Sequence, residues 1–111
     1  MDPGSLLATT HSAGGLKIKL RLARPSDGLR VRAFLERERP SLAESAARFT
    51  FYDPRERIVL AATAPVDGIE KIVGLVDVGG GAPLVLAGDP GVADLLGAAA
   101  TALAHRVRNA A

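Results

Sequence analysis

The chain contains no cysteine and no tryptophan, and its aromatic residues stop at Phe34, Phe49, Phe51 and Tyr52. Without thiols there is no disulfide framework, thiolate zinc site, thiol nucleophile or iron–sulfur cluster. The two histidines, His11 and His105, stand far apart, so no ligand set with transition-metal spacing is present. No run of about 18 uncharged apolar residues occurs, which leaves nothing long enough to span a bilayer. The first residues lack the basic start and apolar run of a signal peptide, which places the protein in the cytoplasm. The glycines at 79–81 are not followed by the Gly-Lys-Ser/Thr of a phosphate loop, and no Gly-x-Ser-x-Gly elbow exists.

What remains is a chain of 111 residues, 48% apolar and 23% charged. That size and balance fit one folded domain with a single layered core and exclude general disorder. The net charge of +2 is unevenly spread. Residues 17–39 carry eight cations and three acids, whereas residues 40–90 carry four cations and seven acids. A basic first third has the charge to meet a polyanion. The cations of the first strand have no aromatic among them to stack a base, so nucleic-acid binding ranks behind a solvated face of interleaved charges.

Periodicity orders the elements. Residues 1–15 read as a loose leader, with Asp2-Pro3-Gly4 and Gly14-Gly15 as turn formers. Leu16, Ile18, Leu20 and Leu22 alternate with Lys17, Lys19 and Arg21, the pattern of a strand with one buried and one wet face. Pro25 stops it, and Ser26 or Asp27 can cap a helix that runs to about Glu38 with Val31, Phe34 and Leu35 as its apolar stripe. Ser41 and Glu44 have capping-box spacing for a second, short helix with Leu42, Ala46 and Phe49 on one face, ended by Tyr52-Asp53-Pro54. Residues 58–64 and 72–78 are continuous apolar runs, expected as strands covered on both sides and joined as an antiparallel hairpin at Asp67-Gly68. Residues 84–87 continue the meander. Asp89 and Pro90 open a final helix whose stripe is Val92, Leu95, Leu96, Ala99, Leu103 and Val107, with His105, Arg106 and Arg108 suited to its negative pole. The sum is a domain over 16–111 of the α+β class: a mainly antiparallel four-stranded sheet flanked by helices, in the order β-α-α-β-β-β-α.

That order, together with the opening Ile18-Lys19-Leu20-Arg21-Leu22-Ala23-Arg24-Pro25-Ser26-Asp27, the Asp67-Gly68 turn before Ile72-Val73-Gly74, and a strand leading into Gly91-Val92-Ala93, resembles the N-terminal part of the GNAT superfamily of acyl-CoA-dependent N-acyltransferases. The resemblance runs from about Leu16 to the end. It implies that an acetyl-CoA or other acyl-CoA would set its pyrophosphate on the loop opening the last helix, where the family pattern is Gln/Arg-x-x-Gly-x-Gly/Ala. Gly91 and Ala93 match the last two positions, Gly88 stands where Gln or Arg is expected, and Gly91, Val92 and Ala93 are the implied cofactor-binding residues. The strand at 84–87 would receive the pantetheine.

The same loop carries opposing chemistry. Asp89 can take the free amides as an N-cap, Pro90 has no N–H, and Asp94 adds a second carboxylate to the first turn. The strand at 84–87 lacks the carboxylate the family often uses as base; Asp77 and Asp53 are the nearest substitutes, each also readable as an ordinary strand-end or turn residue, and Tyr52 as a general acid is also readable as core rim. The family continues past this helix through further strands, whereas this sequence stops there, leaving the strand at 84–87 with an unpaired edge. Two functions are therefore expected to compete. One is an acyl-CoA-dependent N-acyltransferase. The other is a non-catalytic, GNAT-like assembly module that forms a homodimer through that edge.

Overall fold

The computed structural model describes residues 7, 9–79 and 81–110, with side chains up to Ala104. Five strands form one antiparallel sheet in chain order: β1 His11–Ala13, β2 Leu16–Leu22, β3 Ile58–Val66, β4 Ile69–Val78 and β5 Leu84–Ala87. Between β2 and β3 the chain makes a 3₁₀ turn Pro25–Asp27, the helix α1 Gly28–Glu38 and a 3₁₀ segment Pro40–Phe49; after β5 comes the long helix α2 Pro90–Ala110. The protein is of the α+β class, with its sheet between two helical layers. No helix among the described residues is long and apolar enough to cross a membrane.

The strand count is five where four were expected, because part of the expected leader pairs. Gly14 and Gly15 adopt φ of +57° and +75°, the left-handed pair that a two-residue hairpin turn demands. His11–Ala13 then folds back on Leu16, Lys17 and Ile18. Residues 1–6 and 8 of the expected leader lie outside the described residues. The second hairpin behaves as its Asp-Gly signal requires, with Asp67 at φ +52° and Gly68 at +78°. It also extends both strands beyond the apolar runs, so that Val66 pairs with Ile69.

β3 and β4 are covered on both sides, which accounts for their unbroken apolar sequence. On one face Ile18, Leu20, Leu60, Ala62, Val76 and Val78 meet Val92, Leu96, Ala99 and Leu103 of α2. On the other, Val59, Ala61, Ile72, Leu75 and Leu86 meet Val31, Phe34 and Leu35 of α1 and Ala43, Ala46 and Phe49 of the 3₁₀ segment. The register between β3 and β4 slips by one residue, since Ala62 pairs with Gly74 and Thr63 with Ile72. This bulge gives Val73 no opposite number. At Gly74 a Cβ would stand 2.6 Å from Leu96 Cδ1 and 3.0 Å from Val92 Cγ1, so glycine is what lets α2 approach β4.

Several local expectations change. The alternation of β2 holds for Ile18 and Leu20, while Leu22 is 40% exposed because the sheet's cover ends there. Asp27 occupies the N-cap position of α1 without capping it. Its carboxylate instead accepts two bonds from the Arg21 guanidinium (2.6 and 2.7 Å) and one from the Arg24 amide (2.8 Å). The element after Pro40 is a 3₁₀ segment, broken at Ser45 and capped by no side chain, and it ends at Phe49 rather than at Tyr52. Its buried residues Ala43, Ala46 and Phe49 recur every three positions, the repeat of a 3₁₀ turn, whereas Leu42 is only half-buried. The capping box at Ser41 fails because that serine already lies inside the first turn. The side chains of His105, Arg106, Val107 and Arg108 lie outside the described residues.

Candidate functional site at the mouth of the last helix

The loop from β5 into α2 holds the residues implied for cofactor binding. Asp89 is the N-cap, as its sequence context predicts: Oδ1 accepts the Gly91 amide at 2.8 Å and the Val92 amide at 3.1 Å. The Ala93 amide donates to the Asp89 carbonyl at 3.0 Å, closing the first helical turn. The first amides of a helix attract anions because they lack partners and carry partial positive charge. Here Pro90 contributes no N–H and the next three amides are occupied by Asp89 alone, while Asp94, expected as a second carboxylate of the first turn, lies past that turn because the helix already starts at Pro90. Val92 is fully buried, with its side chain in the α2–sheet core.

The neighbours tighten this arrangement. A Cβ on Gly14, in the β1–β2 turn, would lie 2.6 Å from the Asp89 carboxylate, and one on Gly91 would lie 3.2 Å from the Gly14 nitrogen. The first hairpin thus presses on the mouth of α2. Gly88 faces the Glu38 carboxyl, whose Cδ would be 2.8 Å from an added Cβ. A cleft of about 440 Å³ opens beside the loop, with Glu38, Asp89, Arg37, Lys71, Leu16 and Val73 among its walls. Arg37 is engaged within it: Nε donates to Glu38 Oε1 at 3.3 Å, Nη2 donates to the Ile72 carbonyl at 3.3 Å, and the guanidinium lies 5.7 Å from the Phe34 ring centre. Two carboxylates and two cations therefore share the cleft. Glu38, Arg37 and Lys71 could not be assigned to this place from sequence, because no local pattern ties the end of α1 or the start of β4 to α2.

The residues considered for proton transfer lie elsewhere and are committed. Asp77 takes a two-pronged bond from Arg57 (3.2 Å at Nε, 2.6 Å at Nη2), with Arg48 at 3.6 Å. Asp53 holds Arg55 through both oxygens, and that pairing, with the Arg55 amide, keeps its carboxyl below the ordinary range. The Tyr52 hydroxyl donates toward the Ala23 carbonyl at 2.8 Å and the Val59 carbonyl at 3.2 Å, and burial pushes its pKa up. These groups fasten the end of β2, the start of β3 and the end of β4 to the turn before β3. None points into the cleft at α2. β5, the strand implied for pantetheine, is paired to β4 on one side and buries Leu86, with Leu84, Val85 and Ala87 half-buried.

No protein-family model, no curated protein and no solved structure matches the chain.

Proposed function

We infer that the chain is a GNAT-like, acetyltransferase-like domain that acts as a non-catalytic module of the cytoplasm, assembling as a homodimer through the open edge of β5. The observation that supports this most is the Asp89 carboxylate on the Gly91 and Val92 amides. A pyrophosphate seated there would have to displace an internal carboxylate that already supplies the same hydrogen bonds, and would meet the field of Glu38 as well. The proton-transfer candidates are tied into ion pairs or carbonyl bonds, so acyl transfer would lack a poised base. The β5 edge, Leu84-Val85-Leu86-Ala87, carries no charge and no proline, the features that normally keep an open edge from pairing.

Calorimetric titration with CoA tests the loop. The wild-type protein should give no heat at millimolar CoA. Micromolar binding by the unaltered chain would overturn the non-catalytic reading. Sedimentation tests the edge: a dimer is expected at high micromolar concentration, and a strict monomer there would remove the assembly role.

A second reading, an active acyl-CoA-dependent N-acyltransferase, draws support from the cleft at the mouth of α2, where Arg37 and Lys71 stand beside the loop. In it Asp89 would swing away as the cofactor arrives. Asp89→Ala would then tighten CoA binding and leave acyl transfer to an amine measurable, whereas the first reading expects no transfer by either protein.

A further inference from the structure

The ladder between β2 and β3 stops short of both strand ends. β2 pairs with β3 from Lys19↔Thr63 to Leu22↔Leu60, while Leu16, Lys17 and Ile18 pair with β1 instead. β3 continues past Thr63 to Val66 with β4 beside it. Pro65 falls in this stretch, and a residue without an N–H suits a strand whose second side is open. The two strands part beyond Lys19 and Thr63. A cavity of about 330 Å³ lies at the parting, bounded by Lys17, Lys19, Thr63, Ala64, Pro65 and Glu70. It shares no wall residue with the cleft at α2.

Charge in this cavity is laid out by the pleat. Lys17 and Lys19 are alternate residues of β2 and project to one face. Thr63 lies opposite Lys19, Pro65 lies two residues on from Thr63, and Glu70 lies opposite Pro65, so Glu70 belongs to the same face. None of the described ion pairs involves Lys17, Lys19 or Glu70, and the Arg21 guanidinium, next along the same face of β2 and paired with Asp27, acts on Glu70 only through space. The buried Thr63 hydroxyl points to the Lys19 carbonyl at 3.4 Å and so is already engaged. Two cations, one carboxylate and the exposed ring of Pro65 converge on a space at the small end of ligand pockets, whereas the Ala64 side chain turns to the other face, into the core under α2.

We propose that this parting binds a free α-amino acid with a small apolar side chain. Its carboxylate sits between the Lys17 and Lys19 ammonium groups, its ammonium faces Glu70, and its side chain rests on Pro65. The lining carries both signs, which matches a zwitterion. A polyphosphate would bring its charge against Glu70, and a nucleobase would find no exposed ring to stack on. The site is independent of the function inferred above.

The test is a titration followed by amide NMR, with L-valine, N-acetyl-L-valine and L-valinamide as probes. L-Valine should give saturable shifts at the Lys17, Thr63 and Glu70 amides with Kd at or below about 1 mM, and both blocked analogues should bind at least about tenfold more weakly. The Lys17→Ala/Lys19→Ala double variant should lose binding, and Glu70→Gln should lose the preference for L-valine over N-acetyl-L-valine. All three altered side chains are exposed, and an unchanged thermal midpoint verifies that each variant is folded. Absence of saturable shifts, equal binding of the blocked analogues, or full binding by the folded double variant would each overturn the proposal.

Discussion

On one face of the sheet α2 lays Val92, Leu96, Ala99 and Leu103 over Ile18, Leu60, Ala62 and Val76, and no described ion pair joins the two layers. On the other face α1 and the 3₁₀ segment also bury apolar side chains, but the layer is fastened by polar bonds around its rim: Arg21 to Asp27, Arg57 and Arg48 to Asp77, Arg37 to the Ile72 carbonyl, and Tyr52 to the Ala23 and Val59 carbonyls. The difference follows from the helices. A long helix with a regular stripe positions itself by shape against the sheet, and Gly74 supplies the fit. The 3₁₀ segment buries one large side chain, Phe49, beside two alanines, too little area to set its orientation alone. Directed bonds set it instead. One face is thus held by packing, which ignores pH, and the other partly by charge, which does not.

The largest effect should come from the packed face. Leu96→Ala removes a fully buried side chain from the centre of the α2 contact and should cost about 3 kcal/mol in urea unfolding, with the same cost at pH 7 and pH 5. The clamped face comes next: Asp27→Ala should cost about 2 kcal/mol, because the Arg21 guanidinium, itself mostly covered, loses its partner. Asp27 is 1% exposed, and the bond from Arg21, then that from the Arg24 amide, hold its carboxyl below its ordinary value. A depressed folded-state value means that its contribution is complete above the unfolded value near ~3.9 and is lost as pH falls through the lower, folded one. Wild-type stability should therefore decline below about pH 4, and Asp27→Asn should flatten part of that decline while Leu96→Ala keeps it.

Gly74→Ala should cost about 1–2 kcal/mol through crowding against Leu96 and Val92. Combined with Leu96→Ala it should cost less than the two changes added, because the atom it strikes is gone; full additivity would mean that Gly74 does not govern the approach of α2. The smallest effect belongs to the cap. Asp89→Ala should lower stability by about 1 kcal/mol, measured by thermal unfolding, and a neutral result would mean that the Gly91 and Val92 amides find water equally well.

Where the sequence predicted structure well, the determinant was local. The apolar runs of β3 and β4, the Asp67-Gly68 turn, β5 and the Asp89-Pro90 helix start each depend on residues a few positions apart, and each lies where its pattern indicates. β1 escaped notice because His11-Ser12-Ala13 has no alternation to detect; Gly14-Gly15 before a strand was the available signal. The 3₁₀ repeat was masked because Ala46 and Phe49 belong to both the three-residue series and the helical one. At the site, the cap was legible and its surroundings were not. Asp89 binds residues two and three ahead, whereas Glu38 reaches Gly88 only once the sheet has brought the end of α1 beside the end of β5.

The double covering of β3 and β4 also sets a clock for the molecule. Amides such as Ala61, Ala62 and Leu75 belong to residues with no solvent-exposed surface in the middle strands, so their deuterium uptake requires both helical layers to lift at once. Those protons should be the last to exchange, at a rate reporting global opening. The short outer strands β1 and β5 should exchange early, and the gap between the two rates measures how far the periphery can breathe while the centre stays shut.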